Sequence, residues 1–185
     1  SSTLGTLSSV TDNSDGTYTA TLTSTTVGTA TISATLNSAA VTDTATVSFT
    51  NVPPTLSSSS PADNATGVSS STNIELTFSE AVDVKTGNIT IKKTSDNSTV
   101  ETIDVTGSKV TGSGSAQITI NPATKLDSET EYYVLIDATA FDDVDGGSYA
   151  GISSTTVLSF TAGENTLPTL SSSSPADNAI DVARD

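Results

Sequence analysis

Apolar and polar residues alternate with a period of two along almost the whole chain, and no segment shows a sustained helical stripe. In the N-terminal part this alternation predicts three strands of a meander, over residues 18–22, 30–36 and 41–49. An Asp15-Gly16 pair marks a turn before the first of these strands. The pattern predicts an all-β protein.

The same alternation predicts about seven strands between residues 52 and 162. The first is the Ser-rich run before Asp63, and the other six centre on residues 74–78, 89–91, 100–105, 116–120, 132–136 and 158–160. Residues 81–88 predict a loop or a short helical turn. About seven strands in roughly 100 residues are typical of an Ig-like β-sandwich, in which two sheets pack face to face.

A segment of 15 residues occurs twice in the chain. Residues 54–68 read PTLSSSSPADNATGV and residues 168–182 read PTLSSSSPADNAIDV, so 13 of 15 positions are identical at an offset of 114. This period is too long for a solenoid repeat of roughly 20 to 50 residues, but it suits one sandwich domain. We therefore divide the chain into the C-terminal part of one module (1–51), a complete module (52–162), and a linker with the first strand of a third (163–185).

Composition excludes several classes of function. Six Lys and Arg residues against 21 Asp and Glu residues give a net charge of −15. This charge argues against binding to nucleic acid or to an anionic membrane surface, because both depend on cationic side chains. The chain has no Cys and no His, which removes thiol and imidazole chemistry. No apolar run approaches the roughly 20 residues of a membrane helix, so we expect no membrane insertion, and without a visible targeting segment the chain reads as an interior piece of a longer protein.

Two stretches resemble bacterial Ig-like domains that occur in tandem in large surface adhesins and surface-layer proteins. Residues 54–162 resemble one such family over nearly a full domain, through SPADNATGV, IELTFSEAVD, YYVLIDATAFDDVDGGSYAGI and LSFTA. Residues 12–50 resemble the C-terminal half of an invasin-type Ig-like module. The resemblance implies an extracellular, cell-surface location in a bacterium. It also implies a non-catalytic spacer, part of a long rod that holds a ligand-binding tip away from the cell.

The densest acidic cluster contains Asp137, Asp142, Asp143 and Asp145, ahead of Gly146-Gly147. Calcium takes six to eight oxygen ligands in loose geometry, so two or three of these carboxylates with loop carbonyls could hold one ion. The segment lacks the Glu at the twelfth position of an EF-hand loop. We predict a calcium site at Asp142, Asp143 and Asp145, with a solvated acidic turn as the alternative.

Asp63 and Glu80 are further predicted calcium ligands, because both are expected near the end of the module where a neighbouring module docks. An ion bridging such a junction would stiffen the rod by neutralising carboxylates that otherwise repel each other. The alternatives are an Asx-turn for Asp63 and an exposed strand end for Glu80.

No residue pattern predicts an enzyme. Glu129 and Glu131 could share a strand face as paired carboxylates do in glycosidases, but they lack an aromatic platform for a sugar. The expected partners are neighbouring modules of the same chain, with a host-surface or glycan ligand bound by other domains. Two alternatives remain: a module that grips a carbohydrate or host protein with its loops, where only Phe141 and Tyr149 supply aromatic rings, and an accessory domain that positions an enzyme.

Overall fold

The structure is a computed structural model that describes residues 1–164, 170–176 and 180. All regular secondary structure in these residues is β-strand, in eighteen strands. The all-β class predicted from the alternation is confirmed. The described residues contain no helix long and apolar enough to cross a membrane.

The first eight strands form two interrupted antiparallel hairpins. In the first hairpin β1 (Thr6–Leu7) pairs with β4 (Leu22–Thr23), and β2 (Thr11–Asp12) pairs with β3 (Tyr18–Thr19). In the second, β5 (Gly28–Ile32) pairs with β8 (Ala45–Phe49), and β6 (Thr35–Leu36) pairs with β7 (Ala39–Ala40). The three predicted strands are present in shorter pieces. The predicted meander is wrong, because the first of these strands pairs with β1 and β2 and not with the second predicted strand.

Residues 1–50 build almost no core. Ala30 is the one buried residue among them. Tyr18 and Leu36 are 57% and 58% exposed, although the alternation places them on apolar strand faces. A sheet is stabilised when one of its faces is buried against a second layer. The strands of residues 1–50 bury almost none of their apolar face in this way.

Residues 56–162 form a sandwich of two sheets. The first sheet has the order β10 (Ala65–Val68), β18 (Ser159–Ala162), β16 (Glu131–Ile136), β12 (Asn88–Lys93) and β13 (Thr99–Asp104). The second has the order β14 (Val110–Thr111), β15 (Ser115–Ile120), β11 (Ile74–Val84) and β17 (Phe141–Asp142), with β9 (Leu56–Ser60) also paired to β11. β10 and β18 pair in parallel, and the other pairs of these sheets are antiparallel.

Three of the ten strands in this sandwich were not expected from the sequence. They are β10, β14 and β17, which are four, two and two residues long and too short to show an alternation. The predicted loop over residues 81–88 is wrong for residues 81–84, because β11 continues to Val84. A register irregularity between Thr77 and Val82 lets the strand continue past the end of its pairing with β9.

The predicted first strand of a third module is not formed by residues 170–176, and the rest of that prediction lies largely outside the described residues. In the first copy of the repeat, β9 pairs with Glu75–Phe78 of β11. Residues 170–174, which correspond to Leu56–Ser60 in the second copy, belong to no strand.

The core lies between the two sheets and is mainly aliphatic. Ile74, Leu76 and Phe78 of β11 are at most 3% exposed, as the period of two predicts. The rings of Tyr132 and Phe160 lie 6.1 Å apart in the opposite sheet. Each buried side chain of this kind contributes roughly 1.5–3 kcal/mol, so this module can hold its fold with few aromatic residues.

A buried carboxylate stabilises the edge of the first sheet. Glu101 of β13 is 8% exposed and accepts a hydrogen bond from Lys109 Nζ. It also accepts hydrogen bonds from the backbone N–H groups of Ala123 (3.0 Å) and Thr124 (2.8 Å). Burial acts to raise the pKa of Glu101, but these hydrogen bonds outweigh it and lower the pKa to about 2.

Replacing Phe78 with Ala should destabilise the sandwich by about 3–5 kcal/mol, because the ring is 3% exposed and its loss leaves a cavity. Urea unfolding of the full chain measures this loss. Val157→Ala, at a side chain that is 49% exposed, serves as the control and should change stability by less than about 0.5 kcal/mol. Equal effects of the two substitutions would contradict the described core.

Stability should fall as the pH drops from about 4.5 towards 2. The folded-state pKa of Glu101 is about 2, below its ordinary value of 4.5. Its contribution is therefore complete above pH 4.5 and is lost as the pH falls through the folded-state value.

Glu101→Gln should cost on the order of 2 kcal/mol at neutral pH and flatten the pH dependence. Urea unfolding at several pH values tests this, with the exposed Glu131→Gln as the matched control. A Glu101→Gln chain with the pH profile of the natural chain would show that this carboxylate is not the titrating group.

Candidate functional site

The acidic loop predicted from the sequence, residues 141–149, is closed at both ends by buried aromatic rings. The rings of Phe141 and Tyr149 lie 5.3 Å and 5.2 Å from that of Phe78. The backbone N–H of Tyr149 donates to the carbonyl of Phe141 at 2.9 Å. Phe141 is 0% exposed and Tyr149 is 6% exposed, and burial raises the pKa of the Tyr149 hydroxyl. Neither ring is therefore available to a ligand.

Asp143 lies inside this loop and is only 2% exposed. Its Oδ1 accepts hydrogen bonds from the backbone N–H groups of Asp145 (2.8 Å) and Gly147 (2.9 Å) and from Asn51 Nδ2 (3.1 Å). Its Oδ2 is buried without a hydrogen-bond partner. Burial acts to raise the pKa of Asp143, but the hydrogen bonds outweigh it and the pKa is lowered. The carboxylate is thus held ionised by groups of the chain itself.

Glu80 and Asp145 lie on one cavity of about 350 Å³. The cavity is also lined by the preceding part of the chain, including Thr25, Thr26 and Asn51. Glu80 lies in the exposed stretch of β11. The structure therefore brings these two predicted ligands to the junction between residues 1–51 and the sandwich that follows them.

The remaining predicted ligands do not line this cavity. Asp142 stands opposite Asp83 in the β17–β11 pair, and Lys85 Nζ lies 3.6 Å from the Asp83 carboxylate. Asp63 Oδ1 accepts hydrogen bonds from the backbone N–H (2.9 Å) and hydroxyl (3.1 Å) of Ser159. Asp63 therefore fastens the turn between β9 and β10 to β18, and it does not line the cavity of Glu80 and Asp145.

Within residues 1–164, 170–176 and 180, no three acidic side chains are grouped so that they could hold a metal ion. Asp137, which belongs to the same acidic cluster in the sequence, accepts a hydrogen bond from the backbone N–H of Asn88 at 2.8 Å. Calcium binding stays a prediction.

Several other acidic side chains close turns. Asp15, Asp96 and Asp104 each accept a hydrogen bond from the backbone N–H two positions later, at 2.9 Å. Hydrogen bonds from the side chains of these later residues are the main cause that lowers the pKa of each of the three carboxyl groups. Asx-turns of this kind account for these three carboxylates without a ligand.

Asn51 has no role that the sequence predicts, because an isolated Asn in a linker carries no periodicity. Its partner Asp143 is 92 residues away. The recurrence of this Asn in the sequence could have indicated a role, since Asn51 and Asn165 stand three residues before Pro54 and Pro168.

Solved structures similar to the chain share little of its sequence. The S-layer protein rSbsC(31-844) is 17% identical, with a TM-score of 0.42, over 62% of this chain and 14% of that one. CopC from Methylosinus trichosporium OB3b is 14% identical, with a TM-score of 0.43, over 63% of this chain and 99% of that one. The N-terminal part of the bacterial S-layer protein SbsC is 19% identical, with a TM-score of 0.41, over 60% of this chain and 24% of that one.

Two protein families match the sequence directly, while no curated protein matches it. Residues 1–52 match the family described as invasin, domain 3, and residues 50–162 match the family described as bacterial Ig-like domain. Both matches confirm the resemblance drawn from the sequence motifs. Because the second match covers 113 of the 185 residues, the chain belongs to the bacterial Ig-like domain family.

Proposed function

We propose that this chain is a non-catalytic spacer in a tandem-module protein on the outside of a bacterial cell. The observation that carries the proposal is the repeat, in which residues 54–68 recur at 168–182 with 13 of 15 identities. The two copies also share a local hydrogen bond, since Ser59 Oγ donates to the Pro61 carbonyl and Ser173 Oγ to the Pro175 carbonyl, both at 2.8 Å. A module used repeatedly contributes length and stiffness, and its partners are the neighbouring modules.

Both aromatic rings of the acidic loop and two of the carboxylates that could have served a ligand are engaged inside the module. Phe141 and Tyr149 are buried, and the carboxylates of Asp63 and Asp143 accept backbone N–H groups. Glu129 has a φ of 50° and precedes β16, which begins at Glu131. These two Glu residues therefore do not share a strand, and this observation favours a spacer over a glycosidase.

Calcium at the junction is the finer part of the proposal. Glu80 and Asp145 face the same polar cavity as the hydroxyl-bearing residues Ser24, Thr25 and Thr26. Oxygen ligands of these kinds suit calcium. An ion here would offset repulsion in a chain with a net charge of −15 and would restrict motion between the two parts that line the cavity.

Small-angle X-ray scattering tests the spacer. The extended chain for this test consists of residues 1–182 followed by a second copy of residues 69–162, which completes a third module. β11 alone has 11 residues and spans about 36 Å at roughly 3.3 Å per residue. The maximum dimension should therefore exceed that of the natural chain by about 36 Å or more, whereas modules packed side by side would add little and would contradict a spacer.

Adding calcium should raise the melting temperature of the natural chain, and adding a chelator should reverse the change. The double variant Glu80→Gln/Asp145→Asn should lose this response, while Glu131→Gln should keep it. A melting temperature that calcium and chelator both leave unchanged would rule out the calcium proposal without affecting the spacer.

A further inference from the structure

Asn51 is fixed by a loop of the module that follows it. Its Nδ2 donates to Asp143 Oδ1 at 3.1 Å, across 92 residues of sequence. Gly147 lies directly against this contact, because a Cβ on Gly147 would stand 2.5 Å from Asn51 Nδ2 and 3.1 Å from Pro53 Cα. Only glycine allows the acidic loop to approach the incoming chain this closely.

The repeat places a second Asn in the same position relative to the next module. Asn51 stands three residues before Pro54, and Asn165 stands three residues before Pro168. The spacing to the preceding module differs, since Asn51 follows the SFT strand end at Thr50 directly, while residues 162–164 separate Thr161 from Asn165. The difference in linker length falls before the Asn, so the Asn belongs with the module that comes after it.

We propose that each module of the array begins with an Asn that is clamped by the buried Asp of its own acidic loop. Asn51 and Asp143 form the clamp of the complete module, and the sequence repeat predicts the same contact for the Asn that precedes a following copy. The contact of Asn165 rests on the tandem arrangement of the proposed function, whereas the Asn51–Asp143 clamp stands without it.

Because Asp143 is buried, the side-chain amide of Asn51 is important for the stability of its carboxylate. A buried carboxylate is stable only when hydrogen-bond donors replace the water it has lost, and all three donors to Asp143 converge on Oδ1 while Oδ2 has none. Removing Asn51 leaves two donors for a charge that stays buried. The order of the acidic loop and the position of the incoming chain are therefore coupled.

Amide hydrogen exchange in the full chain tests the clamp. Asn51→Ala should speed exchange of the Gly147 amide by about tenfold, since a hydrogen bond to a charged partner is lost beside it. The pKa of Asp143, followed by its carboxyl carbon shift in NMR, should rise, and Asn51→Asp should raise it further because two carboxylates then meet.

Asn121→Ala is the matched control, since Asn121 is exposed, and it should change neither measurement. If Gly147 exchange and the pKa of Asp143 in Asn51→Ala equal those of the natural chain, the clamp does not exist. A greater response of Asn51→Asp than of Asn51→Ala separates loss of the contact from a general loss of folding.

The extended chain defined above tests the second contact. Asn165→Ala should speed exchange at the counterpart of Gly147 in the added copy and leave Gly147 itself unchanged. If only Asn51→Ala has an effect, the clamp is confined to the first junction and the array proposal is overturned. A failure of the spacer itself would appear separately, as an extended chain whose maximum dimension does not grow.

Discussion

The contact of Phe78 with Phe141 and Tyr149 is the constraint on which the junction end of the module depends. The chain has only eight aromatic residues, and this cluster places three of them where β17 leaves the second sheet. Because Phe141 and Tyr149 bound the acidic loop, their burial fixes both ends of a segment that would otherwise be a long solvated turn. The position of Asp143 between them follows from this fixation.

β11 is the element that makes this arrangement possible. Its N-terminal half pairs with β9, which carries the repeated PTLSSSS segment, and its last residues pair with β17, which opens the acidic loop. The register irregularity between Thr77 and Val82 separates these two functions along one strand. One strand thus ties the first residues of the module to the loop that receives Asn51.

Local periodicity predicted much of this fold and little of the site. The strands around Ile74, Ile89, Ile118 and Val134 were predicted because apolar and polar residues alternate along each of them. The strands β10, β14 and β17 were missed because two to four residues cannot display a period. β11 was predicted too short, since its register irregularity interrupts the apolar pattern between Phe78 and Val82.

The contacts of the site join residues that lie far apart in the sequence, so local patterns could not predict them. Asp143 was named among the predicted ligands, but the rings that bound its loop pack against Phe78, 65 positions before it, and its donor Asn51 is 92 positions away. The Glu101 contact is of the same kind, because its donors lie in the segment from Lys109 to Thr124. Composition registers such carboxylates only as negative charge.

Acidic side chains of the chain have two different structural roles, which the composition cannot distinguish. Exposed Asp residues such as Asp15 and Asp104 close turns by accepting nearby N–H and hydroxyl groups, and their charge remains in water. Asp143 and Glu101 instead join distant segments while buried. Only the second kind couples distant segments of the chain, because a buried charge that loses one donor has no water to replace it. The coupling of the acidic loop to Asn51, and of β13 to the segment from Lys109 to Thr124, therefore depends on single buried carboxylates.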